Sequence, residues 1–178
     1  MELHVALLRG INLAGKNRLR MKDLAALFTD AGCGSVATYI QSGNVVFAAS
    51  PVLARRIPAL IEKAISNDFG FRVPVVTRTG RELRRIVRGN PFLKAGADAE
   101  TLHVAFLAGT PAAARAKALD PDRSPPDAFS VRGREIYLHC PNGFARTKLT
   151  NAYFDSKLGT TSTVRNWRTV ETLLELTG

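Results

Sequence analysis

Val36 to Gln41 and Asn44 to Ala48 are β-rich runs, and only Ser42-Gly43 separates them. So short a link is a hairpin turn. It constrains this chain more than any other segment, because strands joined this tightly run antiparallel. Around it the apolar pattern is regular. Leu3 to Leu8, apolar but for His4, is a strand, and Met21, Leu24, Ala25, Leu27 and Phe28 recur at helical spacing before Gly32. Ser50-Pro51 supplies an N-cap and a first-turn proline for a second helix. Its buried stripe is Leu53, Ile57, Leu60, Ile61, Ala64 and Ile65. Pro58 interrupts that stripe and predicts a kink or a later start. Val73 to Thr77 is the next strand. The order βαββαβ is that of the ferredoxin-like split βαβ fold.

The second half repeats the theme. Leu102-His103-Val104-Ala105 reproduces Leu3-His4-Val5-Ala6. A short helix over 112–119, a hairpin of Phe129 to Arg132 and Glu135 to His139 around Gly133, a helix from Lys148 to Leu158, a strand from Thr161 to Val164 and a last helix through Leu174 follow. The expected fold is α+β, with two ferredoxin-like (βαββαβ) subdomains related by internal duplication. Residues 1–78 form the first, 79–100 a connecting helix and loop, and 101–178 the second with its terminal helix.

Gly10, Gly15 and Lys16 are spaced as in a phosphate-binding P-loop, but Asn17 stands where the magnesium-binding hydroxyl is needed. A P-loop also requires parallel strands, which the hairpin excludes. The ferredoxin-like order gives the segment another meaning. The first strand lies antiparallel beside the third, so the loop Arg9 to Lys16 and the turn Gln41 to Asn44 share one sheet edge. Arg9, Asn12, Lys16, Gln41, Ser42 and Asn44 then form a neighbourhood rich in donors and poor in carboxylates, which suits an anionic ligand. Asn12, Ser42 and Asn44 are equally the residues that satisfy turn backbone.

Ala6-Leu7-Leu8-Arg9-Gly10-Ile11-Asn12, Gly15-Lys16-Asn17 with Met21, and Thr38 to Phe47 resemble the bacterial domain of unknown function 1697, as does Thr163 to Val170 near the end. The resemblance implies two ferredoxin-like subdomains and no established activity. Within the closing motif, Asn166 is the N-cap expected for the last helix and Trp167 its core anchor, with a ligand-facing role for Arg165-Asn166-Trp167 as the alternative.

The net charge is +10. Residues 1–90 hold 14 Lys and Arg against 6 Asp and Glu, a surplus of 8 in this half alone. Such a field attracts anionic partners, although an arginine-rich composition accounts for it equally well. Arg81, Arg84, Arg85 and Arg88 share one face of the helix opened by the capping box Thr79-Gly80-Arg81-Glu82, opposite Leu83, Ile86 and Val87. That face is a solvated surface or a polyanion contact. The third strand offers Val45, Val46 and Phe47 and the first only aliphatics and His4, so a base-stacking sheet is not expected and any nucleic-acid contact is directed to the backbone. His4, His103 and His139 have no ligand at metal spacing, and neither a metal nor a cofactor is expected. Ser42 lacks the surroundings of a nucleophile elbow. Cys33 and Cys140 form no framework, which fits the reducing cytoplasm. Neither a secretory signal nor a membrane span is expected. Three functions stay open: a small-anion binder, an enzyme at the same edge, and a nucleic-acid-associated protein.

Overall fold

An apolar run such as Leu3 to Leu8, continuous from Val5, belongs to a strand buried on both faces. In the computed structural model, which describes residues 1–178, it is β1 (Glu2–Leu8), with Val5 to Leu8 all fully buried. After it come α1 (Met21–Asp30), β2 (Gly34–Tyr39), β3 (Asn44–Ala49), α2 (Pro51–Phe69) and β4 (Val75–Thr79). These strands form one antiparallel sheet in the order β2-β3-β1-β4. Leu7 faces Asn44 in the β1–β3 register and Val76 in the β1–β4 register. Ala6, Leu8, Val45 and Phe47 of the sheet pack with Leu24 and Phe28 of α1 and Ile57, Ile61 and Ile65 of α2.

The capping signals work as read. Ser50 Oγ accepts the Leu53 amide at 3.2 Å, and Gly70 ends α2 at φ 78°. The Thr79 and Glu82 side chains reciprocally accept each other's amides at 3.0 and 2.8 Å. Pro58 neither ends nor delays α2, which runs as one element of 19 residues. The buried Ile57 and Ile61 beside the proline outweigh the one ladder bond it removes. The hairpin is also longer than expected. β2 ends at Tyr39, which pairs with Asn44, so residues 40–43 form the turn. Ile40 at φ 50° leaves the extended region and stops the strand two residues early.

The second sheet contains β5 (Leu102–Leu107), β6 (Ala128–Arg132), β7 (Glu135–His139) and β8 (Ser162–Asn166), in the order β6-β7-β5-β8. Helices α3 (Gly80–Arg88) and α4 (Pro91–Lys94) precede it; α5 (Ala113–Lys117) and α6 (Asn151–Leu158) lie between its strands, and α7 (Trp167–Leu176) follows. Ala105, Leu107, Ile136 and Leu138 pack with Leu149, Tyr153, Phe154 and Leu158. The helix expected from Lys148 begins at Asn151, because Thr150 caps it by accepting the Tyr153 amide at 3.2 Å. The whole is an α+β protein of two four-stranded antiparallel sheets, each with its helices. Two compact units divide it: residues 1–84 with 173–178, and residues 85–172. No helix is long and apolar enough to cross a membrane.

Candidate functional site

The loop from β1 to α1 spans residues 9–20, and one side chain organises it. Asn12 Nδ2 donates to the carbonyls of Leu19 and Gln41, both at 2.9 Å, while Asn12 Oδ1 accepts the Leu19 amide at 2.8 Å. A residue twenty-nine positions away in sequence is thereby tied to the loop. Asn17 Nδ2 adds a bond to the Gly10 carbonyl at 2.9 Å. Asn12 and Asn17 have φ of 53° and 50°, which asparagine tolerates better than most residues. The tip Leu13-Ala14-Gly15-Lys16 is a two-residue turn closed by Lys16 N donating to Leu13 O at 2.8 Å. Both of its central residues have positive φ, as a type I′ turn requires.

Gly43 holds the other wall in place. Its carbonyl accepts the Leu8 amide at 2.8 Å. At φ 85° a Cβ there would stand 2.8 Å from Leu8 Cβ and 2.9 Å from Ile11 Cδ1, so only glycine lets the turn lie against the buried strand end. Between loop and turn is an open cavity of about 410 Å³ lined by Asn12, Gly15, Arg18, Leu19, Arg20 and Gln41.

The expected neighbourhood is therefore divided. Asn12 and Gln41 line the cavity; Arg9, Lys16, Ser42 and Asn44 do not. Arg9 is half-buried and its amide bonds the Pro74 carbonyl at 3.0 Å. Lys16 is exposed at the loop tip. Asn44 is fully buried, and its Nδ2 donates to Tyr39 O and Ser42 Oγ at 3.1 Å each, which is turn satisfaction. The cationic groups at the cavity are instead Arg18 and Arg20. Arg18 has no hydrogen bond or ion pair, and its Nη2 lies 3.8 Å from where a Cβ of Gly15 would stand. Arg20 pairs with Asp23 at 2.7 Å, which leaves Arg18 as the uncompensated charge. The sequence signal for both is Arg18-Leu19-Arg20, in which Leu19 is buried and its two neighbours are exposed.

The closing motif lies in the other unit. Arg165 is buried, with Nη1 donating to Thr163 Oγ1 and Val164 O at 2.9 Å each, and burial lowers its pKa to about 10. Asn166 Oδ1 accepts the Thr169 amide at 2.8 Å and caps α7. Trp167 is 1% exposed, a core residue. On α3, Arg81, Arg84, Arg85 and Arg88 are all exposed while Leu83 and Ile86 are buried. Arg84 donates to the Gly178 carbonyl. No three His, Cys, Asp or Glu side chains are gathered as a metal site would require.

A family described as "Protein of unknown function (DUF1697)" has a sequence model that matches residues 1–137. The chain is also similar in structure to one titled "The structure of conserved bacterial protein SP0830 from Streptococcus pneumoniae". The TM-score is 0.71 at 18% identity, over 99% of each chain. No curated protein matches the chain.

Proposed function

The chain belongs to the family described as protein of unknown function, DUF1697, and from its site we propose that it binds a small anion, such as a phosphate-bearing molecule, in the cavity between the Arg9–Arg20 loop and the Gln41 turn. One observation carries this: Arg18, a cation with no partner, lines a cavity of about 410 Å³ that has no carboxylate in its lining, and Asp23 is already paired with Arg20. An arginine in this state offers its fork of donors to an oxyanion. Asn12 and Gly43 fix the two walls, so little ordering is left to the ligand. A thermal-shift titration with inorganic phosphate tests the reading. Phosphate stabilises the wild type, and Arg18→Ala weakens apparent affinity by about tenfold, the loss of one charge-assisted bond in a partly solvated site. Equal shifts in both proteins contradict it.

The fold supports a finer reading of how this site arose. We take the two units as ferredoxin-like and related by duplication. Elements β5, α5, β6, β7, α6 and β8 repeat the order of β1, α1, β2, β3, α2 and β4, and the two sheets have the same strand order. Val5 faces Arg78 across one sheet edge as Val104 faces Arg165 across the other, and both arginines are buried. The connection after β5 spans only residues 108–112, against 9–20 after β1. The long loop is what gives the first unit its cavity.

Backbone-directed nucleic-acid binding is supported by the exposed arginine face of α3. Its mark is an affinity that falls steeply with salt and weakens in Arg81→Ala/Arg88→Ala. Two free, buried cysteines support a reducing, cytoplasmic setting.

A further inference from the structure

Leu13 and Ile40 sit awkwardly on the surface. Leu13 is 60% exposed and Ile40 is 50% exposed. They flank the contact that joins the cavity walls: Leu13 follows Asn12, Ile40 precedes Gln41, and Asn12 Nδ2 donates to the Gln41 carbonyl at 2.9 Å. Ile40 also has φ 50°, and Ala14, beside Leu13, has φ 47°. Left-handed backbone disfavours side chains with a Cβ, and β-branched ones most. Asparagine or glycine relieves that conflict, and this loop already uses asparagine at 12 and 17 and glycine at 10 and 15. Position 40 is isoleucine instead, and half of its surface stays in water, so burial offsets the conflict only in part. Strain kept at an exposed apolar residue beside a cavity points to a use for the side chain outside the fold.

We propose that Leu13 and Ile40 are the apolar rim of the anion site, and that its ligand is a small amphiphilic phosphate monoester. The phosphate meets Arg18, and a short aliphatic or aromatic body lies against the two rim side chains. This rests on the cavity being an anion site. It adds the second half of the ligand: a bare phosphate leaves Leu13 and Ile40 in water, whereas an apolar substituent removes that surface from it.

The test is a calorimetric titration of the full chain with inorganic phosphate and with ethyl, butyl and hexyl phosphate. Wild type, Ile40→Asn, Leu13→Asn and Arg18→Ala are compared, with light scattering on each. Affinity in the wild type rises along the series, by at most about fourfold per methylene brought into contact. In Ile40→Asn and Leu13→Asn inorganic phosphate binds as in the wild type, but the rise along the series flattens. In Arg18→Ala every member weakens together. A series equally steep in wild type and rim variants overturns the proposal, as does a flat series in the wild type; in either case Arg18-dependent phosphate binding leaves the anion site standing. If no member binds the wild type, both readings fall. An oligomer that dissociates in Ile40→Asn, with no change in the series, assigns the rim to a second copy of the chain and overturns the amphiphilic ligand.

Discussion

Replacing Asn12 separates the hydrogen bonds that build the cavity from the backbone shape that permits them. Asn12 makes three side-chain bonds, two of them half-buried at 2.8 and 2.9 Å to Leu19 and one exposed at 2.9 Å to Gln41. A half-buried bond is worth about 1 kcal/mol net and an exposed one about half that. Asn12→Gly keeps the φ of 53° accessible and removes the bonds, so its cost is about 2–3 kcal/mol. Asn12→Ala removes the same bonds and adds the left-handed penalty of a Cβ, about 1 kcal/mol more. Urea denaturation measures both totals. Hydrogen exchange at the Leu19 amide, which donates to Asn12 Oδ1, reads the bond locally and should accelerate in both variants. The reasoning is refuted if glycine and alanine each cost under about 0.5 kcal/mol, a typical surface value, and the Leu19 amide stays protected. Asn12 would then be a bystander, and the walls would be held by something else.

Three further outcomes follow from the packing and the titrating groups. Gly43→Ala should cost about 3 kcal/mol by denaturation, combining positive φ with overpacking against the buried Leu8 and Ile11. Burial pushes the Cys33 thiol up, and burial together with nearby Asp127 pushes Cys140 up to about 11, against an opposing hydrogen bond from Thr147. A thiol reagent at mildly alkaline pH should therefore label the native chain slowly and the urea-unfolded chain fast; rapid native labelling refutes the burial. His103 stacks on Phe144 at 4.5 Å with its Nδ1 buried and unpartnered, and desolvation lowers its pKa. The unfolded chain then binds the proton more readily, so stability is lost as pH falls from the ordinary histidine value of about 6.5 toward the folded one. His103→Gln should flatten that part of a stability–pH curve, and an unchanged slope counts against the assignment.

Much of this architecture is legible from local chemistry. Ser50-Pro51, Thr79 with Glu82, and Asn166 announce three helix starts because capping depends on residues only a few positions apart. The antiparallel placement of β1 beside β3, expected from the βαββαβ order, brings Asn12 to Gln41. Elsewhere tertiary packing overrides the local signal. Pro58 is carried through α2 by the isoleucines around it. β4 runs on to Thr79, beyond the Thr77 that the apolar pattern marks, because Arg78 is a strand residue only 1% exposed, and charge disguises it as loop. At the site, Lys16 has the spacing of a phosphate ligand but is carried to the tip by the Ala14-Gly15 turn, while Arg18 and Arg20 enter the cavity lining. That exchange depends on left-handed residues at 12, 14, 15 and 17, whose combined path no spacing rule describes.

The central claim is that an anion sits on Arg18 between the loop and the Gln41 turn, and amide chemical shifts followed during a titration with butyl phosphate test it most directly. The account predicts saturable shifts at residues 12–20 and 40–43, absent in Arg18→Ala. Shifts that fail to saturate, that persist in Arg18→Ala, or that centre on the exposed arginines of α3 contradict it.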